Sequence, residues 1–295
     1  MKTLIVIGGA TASGKTAVSI QLAKHFHTEI LSADSRQCYR ELNIGVAKPT
    51  QQQLQEVPHH FINSHSIEED VSAGMYERYG LEILQGIFEK NDYAICVGGT
   101  GLYIKALCEG IDEMPAVNRV IEQEILTHYE TLGLEWLQNE VKQSDKAFFE
   151  SSENMNPNRL LRALIFFRST GQSIRSFRKH TGKRRNFAIQ YFAIDLPRED
   201  LYEKINTRVD EMMTAGLLEE VVSLVGQKHL RALQTVGYAE LFAHLQGTYT
   251  LAEAVSKIKQ HTRNYAKRQI TWFRHQSDFQ LIAPDYENII KALKT

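Results

Sequence analysis

The chain begins with the short apolar run "TLIVIGG" (Thr3 to Gly9), which leads directly into "GATASGKT" (Gly9 to Thr16). The second stretch has the spacing G-x-x-x-x-G-K-[ST], that of a phosphate-binding loop. This pattern constrains the fold strongly. The loop must follow a buried strand and open a helix. Glycines then let backbone N–H groups curl around a phosphate, and the helix N-terminus adds its partial positive charge. The flanking sequence complies. Val18, Leu22 and Phe26 recur at i, i+4 and i+8, one face of a helix. Lys15 is placed to reach a terminal phosphate, and the Thr16 hydroxyl is a suitable oxygen ligand for Mg²⁺. The loop alone leaves open which phosphate is held.

Three more strand-like runs follow: "EILSADS" (Glu29 to Ser35), "YAICVGGTG" (Tyr93 to Gly101) and "FAIQYFAIDLP" (Phe187 to Pro197). Strands separated by helical stretches predict right-handed βαβ units and a parallel sheet covered on both faces. Ligands of such sheets bind beyond the carboxyl ends of the strands. The stretch from Asp112 to Arg185 instead reads as consecutive helices. The expected architecture is therefore α/β: a P-loop NTPase-like parallel sheet with flanking helices, formed by residues 1–111 and 186–295, and a helical insertion over 112–185. From Arg198 onward two long amphipathic helices are expected, the first with a possible break at Gly216.

Composition narrows the class. The chain is 43% hydrophobic and 23% charged, enough to bury a core. No run approaches the ~18 apolar residues of a membrane helix, and no cationic leader precedes the first strand. The cysteines are Cys38, Cys96 and Cys108, an odd number without a C-x-x-C pair, so a reduced, cytoplasmic protein is expected, with neither a disulfide framework nor a zinc ribbon. The net charge of −1 hides an asymmetry. Gly171 to Gln190 and Ala254 to Ser277 each hold six Lys/Arg and no acid, while Val120 to Glu153 holds eight acids against two lysines. Local patches steer polyanions more than totals do.

Several residues could carry chemistry. Asp34 stands where the second strand should end and could accept a proton from an incoming nucleophile; capping a turn is the equal alternative. The third strand ends in "GGTG" (Gly98 to Gly101) rather than a metal-binding acid, which weighs against an ordinary ATPase. Lys259, Arg263 and Lys267 form one stripe at i, i+4 and i+8, with Tyr265, Trp272 and Phe273 nearby. Such a stripe suits phosphate backbones, or is simply a solvated helix face. Arg159 and Arg162 share a face. Arg208 is either another phosphate ligand or an ion-pair partner. "PHH" (Pro58 to His60) lacks metal-ligand spacing and reads as a local hydrogen-bonding element.

Taken in order from residue 9 to residue 274, "GATASGKT", "SADSRQCYRELNIGVAKP", "PHHF", "GGTGLYIKALCEG", "NPNRLLRAL", "LPREDLYEKINTRVDEMM", "TVGYAEL" and "RNYAKRQITWFR" resemble the tRNA dimethylallyltransferases, or tRNA isopentenyltransferases. The ordered set is specific where the phosphate loop alone is not. The resemblance implies an enzyme that moves a dimethylallyl group from dimethylallyl diphosphate to N6 of the adenine just 3′ of the anticodon, position 37 of tRNA. It also implies release of pyrophosphate and a need for Mg²⁺. On this chain, Gly9, Ala10, Thr11, Ala12, Ser13, Gly14, Lys15 and Thr16 would hold the diphosphate, with Thr16 near Mg²⁺. Arg208 would stabilise the leaving group, and Asp34 would take the N6 proton. Asp34, Ser35, Arg36 and Gln37 would grip the target nucleotide, which must leave its stack, and Thr100 would line its channel. Asn158, Arg159, Leu160, Leu161, Arg162, Arg263 and Lys267 would hold the anticodon stem-loop. A bacterial-type member is implied, and a monomer is the default expectation. Ala10 stands where the family usually has Pro, Val46 where Thr is frequent, and Asn63 where Asp is common. The rival readings are a P-loop kinase with the run Arg175 to Arg185 as its lid, an enzyme prenylating free adenine nucleotides, and a non-catalytic RNA-binding module.

Overall fold

The computed structural model describes residues 1–151, 155–178 and 182–293. Contacts divide the chain into two compact units, Met1–Gly110 with Arg184–Thr295, and Ile111–Lys183.

In the first unit, β1 (Thr3–Gly9) leads through the phosphate loop into α1 (Lys15–His25), and β2 (Ile30–Ser32) follows. After α2 (Gln51–Glu56) and β3 (His59–His60) come α3 (Ala73–Lys90), β4 (Tyr93–Val97) and α4 (Gly101–Glu109). The second unit is helical: α5 (Arg119–Ser144), α6 (Lys146–Phe149) and α7 (Pro157–Thr170), with Gly133 interrupting α5 at a φ of 75°. It has its own core, in which Leu137, Val141, Phe148, Leu160 and Leu164 are buried. The chain returns through β5 (Ala188–Ile194), α8 (Arg198–Thr214), α9 (Leu217–Ser223) and α10 (Tyr238–Leu245). It continues through α11 (Leu251–Arg274), β6 (Gln280–Ile282) and α12 (Tyr286–Leu293). Gly216, at a φ of 100°, separates α8 from α9. A capping box between Thr250 and Glu253 starts α11.

All strand pairs are parallel, in the order β3-β2-β4-β1-β5-β6. Successive side chains of β1 enter opposite cores. Leu4 and Val6 pack with Leu31, Cys96, Tyr76 and Leu107 on one face; Ile5 and Ile7 pack with Ile30, Ile95, Val18 and Leu22 on the other. Burial on both faces is why the strand reads as a continuous apolar run rather than an alternation. All three cysteines are buried thiols. No helix among the described residues is long and apolar enough to cross a membrane.

The edge strands β3 and β6 are not expected from the sequence: β3 is two histidines, and the two apolar residues of β6, Leu281 and Ile282, make too short a run. The second and third predicted strands also stop earlier than their sequence suggests. β2 ends at Ser32 because the Asp34 carboxylate turns the chain, its Oδ1 accepting from the N–H groups of Arg36 at 2.8 Å and Gln37 at 3.3 Å. β4 ends at Val97 because Gly98 crosses the Ala33 backbone closely. A Cβ there would lie 2.2 Å from the Ala33 carbonyl oxygen.

Candidate active site

The phosphate loop has the backbone its sequence requires. Gly9 and Gly14 take φ values of 140° and 92°, and Ala12 is held at 62°, a strained value for a residue with a Cβ. Ser13 is buried, and its Oγ finds no partner among the described residues. Such an orphaned hydroxyl fits an absent acceptor such as a phosphate oxygen. Lys15 Nζ donates to the Ala10 carbonyl at 2.5 Å. Burial pushes the Lys15 ammonium down to about 7, opposed by Asp34 and reinforced by Arg208. A bound anion would favour its charged form. Ala10 is buried against Leu201, Ile205 and Ala266, so α8 and α11 support the loop from behind.

Asp34 lies beyond the end of β2. Its Oδ1 makes the turn, and its Oδ2 has no partner among the described residues. It acts electrostatically on both Lys15 and Arg208. Thr100 opens α4 and faces the same turn, its Oγ1 accepting the Ser35 N–H at 3.1 Å. The Gln37 carboxamide is engaged elsewhere, donating to the carbonyls of Val46 at 3.3 Å and Ala47 at 2.9 Å.

The loop that Gln37 holds is anchored by a residue without a sequence motif, Glu220 of α9. Glu220 Oε2 accepts from the N–H groups of Asn43 at 3.1 Å and Ile44 at 2.8 Å. Its Oε1 accepts from Gly45 N–H at 3.1 Å and the Tyr238 hydroxyl at 2.6 Å. Gly45 sits under the Tyr238 ring, where a Cβ would approach within 2.6 Å. Lys48 Nζ ties the end of this loop to Tyr39 O and to Asn63 Oδ1. Asn63, at a φ of 55°, thus serves as a neutral acceptor in a left-handed position. His59 and His60 are hydrogen-bonding elements, to Val57 O at 2.7 Å and to Glu29 at 2.6 Å. No group of three metal-ligating side chains occurs among the described residues.

Helices α8 and α11 complete the site. Arg208 donates to Thr11 Oγ1 at 3.3 Å. Burial lowers its pKa, with Asp34 and Glu211 acting in the opposite direction, and a guanidinium remains charged. The basic stripe on α11 is partly committed. Lys259 pairs with Asp210 at 2.6 Å, and Arg263 donates to Asn206 at 2.6 Å while lying over the Tyr202 ring. Lys267 is exposed and has no partner among the described residues. Tyr265 contacts the Thr100 side chain and lies within electrostatic reach of Asp34 and Arg36. Beside it is a cavity of about 690 Å³ lined by Lys228, His229, Gln234, Thr235 and Arg268.

The sequence-predicted residues of the second unit separate by burial. Asn158, Arg159 and Arg162 are exposed on α7, whereas Leu160 and Leu161 are core side chains, 0% and 8% exposed. Any contact of those two leucines with RNA would be through the backbone, since their side chains belong to the core of the helical unit. Lys179 of the first basic run lies outside the described residues. Arg185 of the proposed kinase lid is largely withdrawn from solvent, its side chain 9% exposed. Its Nε donates to Leu107 O at 2.8 Å, and its NH2 donates to Ala106 O at 2.8 Å and Glu77 at 2.9 Å. It closes the end of α4 rather than reaching for a phosphate.

A parallel sheet whose phosphate loop faces an aspartate, with glycines where an ATPase carries a metal-binding acid, defines a P-loop NTPase-like fold adapted to other transfers. The IPP transferase family model matches residues 37–276. The tRNA dimethylallyltransferase 1 of Bacteroides thetaiotaomicron is 42% identical over 98% of this chain and 94% of its own length. The tRNA dimethylallyltransferase of Flavobacterium johnsoniae is 43% identical over 94% and 92%. Among solved structures, the tRNA isopentenylpyrophosphate transferase of Bacillus halodurans superposes with a TM-score of 0.72 at 29% identity, covering 99% of this chain and 94% of that one. A eukaryotic dimethylallyltransferase acting on tRNA gives 0.75 at 25% identity, covering 98% and 75%. The chain belongs to the IPP transferase family.

Proposed function

We propose that this chain transfers the dimethylallyl group of dimethylallyl diphosphate to N6 of the adenine 3′ of the anticodon in tRNA, releasing pyrophosphate. The observation that carries the reading is the juxtaposition of Asp34, with one carboxylate oxygen uncommitted, and two cations, Lys15 at the end of the phosphate loop and Arg208, which reaches that loop from α8. A base for the acceptor nitrogen thus stands beside a cradle for the leaving group. Membership of the IPP transferase family gives that pairing its chemistry.

The loop amides, Lys15 and the orphaned Ser13 Oγ would bind the diphosphate. As the C1–O bond breaks and the N6–C1 bond forms, negative charge grows on the pyrophosphate, and Lys15 and Arg208 stabilise it. Asp34 Oδ2 accepts the N6 proton. Ser35, Arg36 and Thr100 surround the aspartate and would hold the nucleotide. Thr16, at the first turn of α1, would supply one oxygen to Mg²⁺. The ion's remaining ligands would be waters and substrate phosphate oxygens, as is usual for Mg²⁺. When bound it would neutralise diphosphate charge.

In the first unit the hollow beside Tyr265 and exposed Lys267, and by itself in the helical unit the exposed face of Asn158, Arg159 and Arg162, would each offer stacking or phosphate contacts of the kind single-stranded RNA loops need. The test is incubation with labelled dimethylallyl diphosphate, Mg²⁺ and an unmodified tRNA carrying adenines at positions 36 to 38. Label at N6 of the middle adenine with equimolar pyrophosphate is expected. Label in free AMP but not RNA, or phosphate transfer from ATP instead, overturns the proposal.

A further inference from the structure

Gln269 is a polar side chain on the buried stripe of α11, between Ala266 and Phe273, and is only 7% exposed. Its carboxamide has two partners, both in the site. Oε1 accepts the Thr11 N–H at 2.9 Å, and Nε2 donates to the Gly99 carbonyl at 2.9 Å. The orientation of the amide is fixed by these partners, since an N–H needs the oxygen and a carbonyl needs the nitrogen. Thr11 belongs to the phosphate loop and also accepts from Arg208. Gly99 precedes Thr100, which holds Ser35 next to Asp34. One amide therefore bridges the loop that would carry the diphosphate and the turn that would carry the base.

The surroundings accommodate this bridge closely. A Cβ on Gly99 would lie 2.1 Å from Gln269 Nε2, one on Gly101 would lie 2.4 Å from the Trp272 ring, and one on Gly8 would lie 2.2 Å from the Phe273 ring. Three glycines at the ends of β1 and β4 thus form a seat for one turn of α11. Within that seat only Gln269 hydrogen-bonds both loops.

We infer that Gln269 is a positioning residue that fixes the separation between the two half-sites, and hence the approach of the acceptor nitrogen to the allylic carbon. The inference rests on the prenyl-transfer reading for its consequence and on the geometry for the bridge. Misplacement of reacting groups by about 1 Å costs on the order of a hundredfold in rate. Loss of the bridge should therefore appear in kcat and leave tRNA affinity in place.

Gln269→Met keeps length and burial but removes both hydrogen bonds. Its kcat should fall by about 10- to 100-fold, with the Kd for tRNA unchanged. Gln269→Glu keeps the acceptor but offers Gly99 a donor only when protonated. Lys15 of α1, Asp34 after β2, Arg208 of α8 and Arg268 of α11 are common to variant and wild type, so the informative quantity is the ratio of their rates. That ratio should rise as pH falls from about 8 to about 6, as burial raises a carboxyl pKa into that range, while the ratio for Gln269→Met stays flat. A near-wild-type kcat in Gln269→Met, or a loss confined to tRNA binding, overturns the inference. A readout independent of the reaction is hydrogen exchange of the Thr11 amide, which should accelerate in Gln269→Met; unchanged exchange removes the bridge. If wild-type protein transfers no prenyl group, the functional reading fails, and the exchange measurement still decides the bridge.

Discussion

Asp34→Asn separates the two tasks of one carboxylate. In the folded protein Oδ1 caps the turn through Arg36 and Gln37, while Oδ2 is the oxygen available to a substrate. Asparagine can keep its carbonyl oxygen toward those two N–H groups. It then presents an NH2, a donor, where the acceptor stood. The turn should therefore survive, with stability within about 0.5 kcal/mol of wild type, as for substitutions that break no buried interaction. The proton acceptor is lost outright. General-base contributions of about 10²- to 10⁴-fold correspond to about 2.7–5.5 kcal/mol of transition-state stabilisation. Asp34→Ala should match Asn in rate but lose a further ~0.5–2 kcal/mol of stability, because it also removes the cap. The assay is single-turnover transfer of labelled prenyl to tRNA with both substrates saturating, paired with urea unfolding of each variant. A rate within a few-fold of wild type in Asp34→Asn refutes the role of base. Equal stability of the Asn and Ala variants refutes the division of labour between the two oxygens.

Arg185→Met should cost about 3–5 kcal/mol in urea unfolding, because it strips the cation from buried Glu77 and two carbonyls at the end of α4; a loss under about 1 kcal/mol contradicts this. Glu220→Gln withdraws a charged acceptor from three loop amides and the Tyr238 hydroxyl. A loss of about 1.5–3 kcal/mol and faster amide exchange at Asn43 to Gly45 are expected, and unaltered exchange argues against the anchor. Lys267→Ala should weaken tRNA binding and reduce the slope of log K against log salt by about 1. An unchanged slope returns α11 to a plain solvated face.

The parts of this molecule that were legible in sequence are local ones. A run of apolar residues buried on both faces announces β1, and the glycine and lysine spacing announces the loop, because each depends on neighbours in the chain. Asp34 was legible as a candidate for the same reason, although its turn-capping and proton-accepting readings could not be separated there. In the structure it caps with one oxygen and leaves the other uncommitted. β3 and β6 were illegible because strands of two and three residues are too short to set up a periodicity. Glu220 left no motif, since its partners are backbone N–H groups, which every sequence supplies. Gln269 did leave a trace, a lone polar residue on the apolar stripe of α11, but its partners lie 258 and 170 residues away. Lys259 and Arg263 kept the predicted spacing, yet α8 supplies Asp210 and Asn206 as their partners. Only packing could reveal that.

The seat that three glycines make for α11 has a consequence for synthesis. Thr11 leaves the ribosome long before Gln269. At about 5–20 residues per second, translation takes about 13–50 s to cover the interval between them. For the last ~8–34 s of that time, once Gly101 has been made, a nascent chain carries its phosphate loop and Asp34 but has no strut between them, and the notch at Gly8, Gly99 and Gly101 is still empty of Gln269, Trp272 and Phe273. Closure waits on a contact of very long sequence separation, the kind that forms late and slowly. A chain released before the end of α11 would keep the motif by which it is recognised and lack the part that sets its working distance.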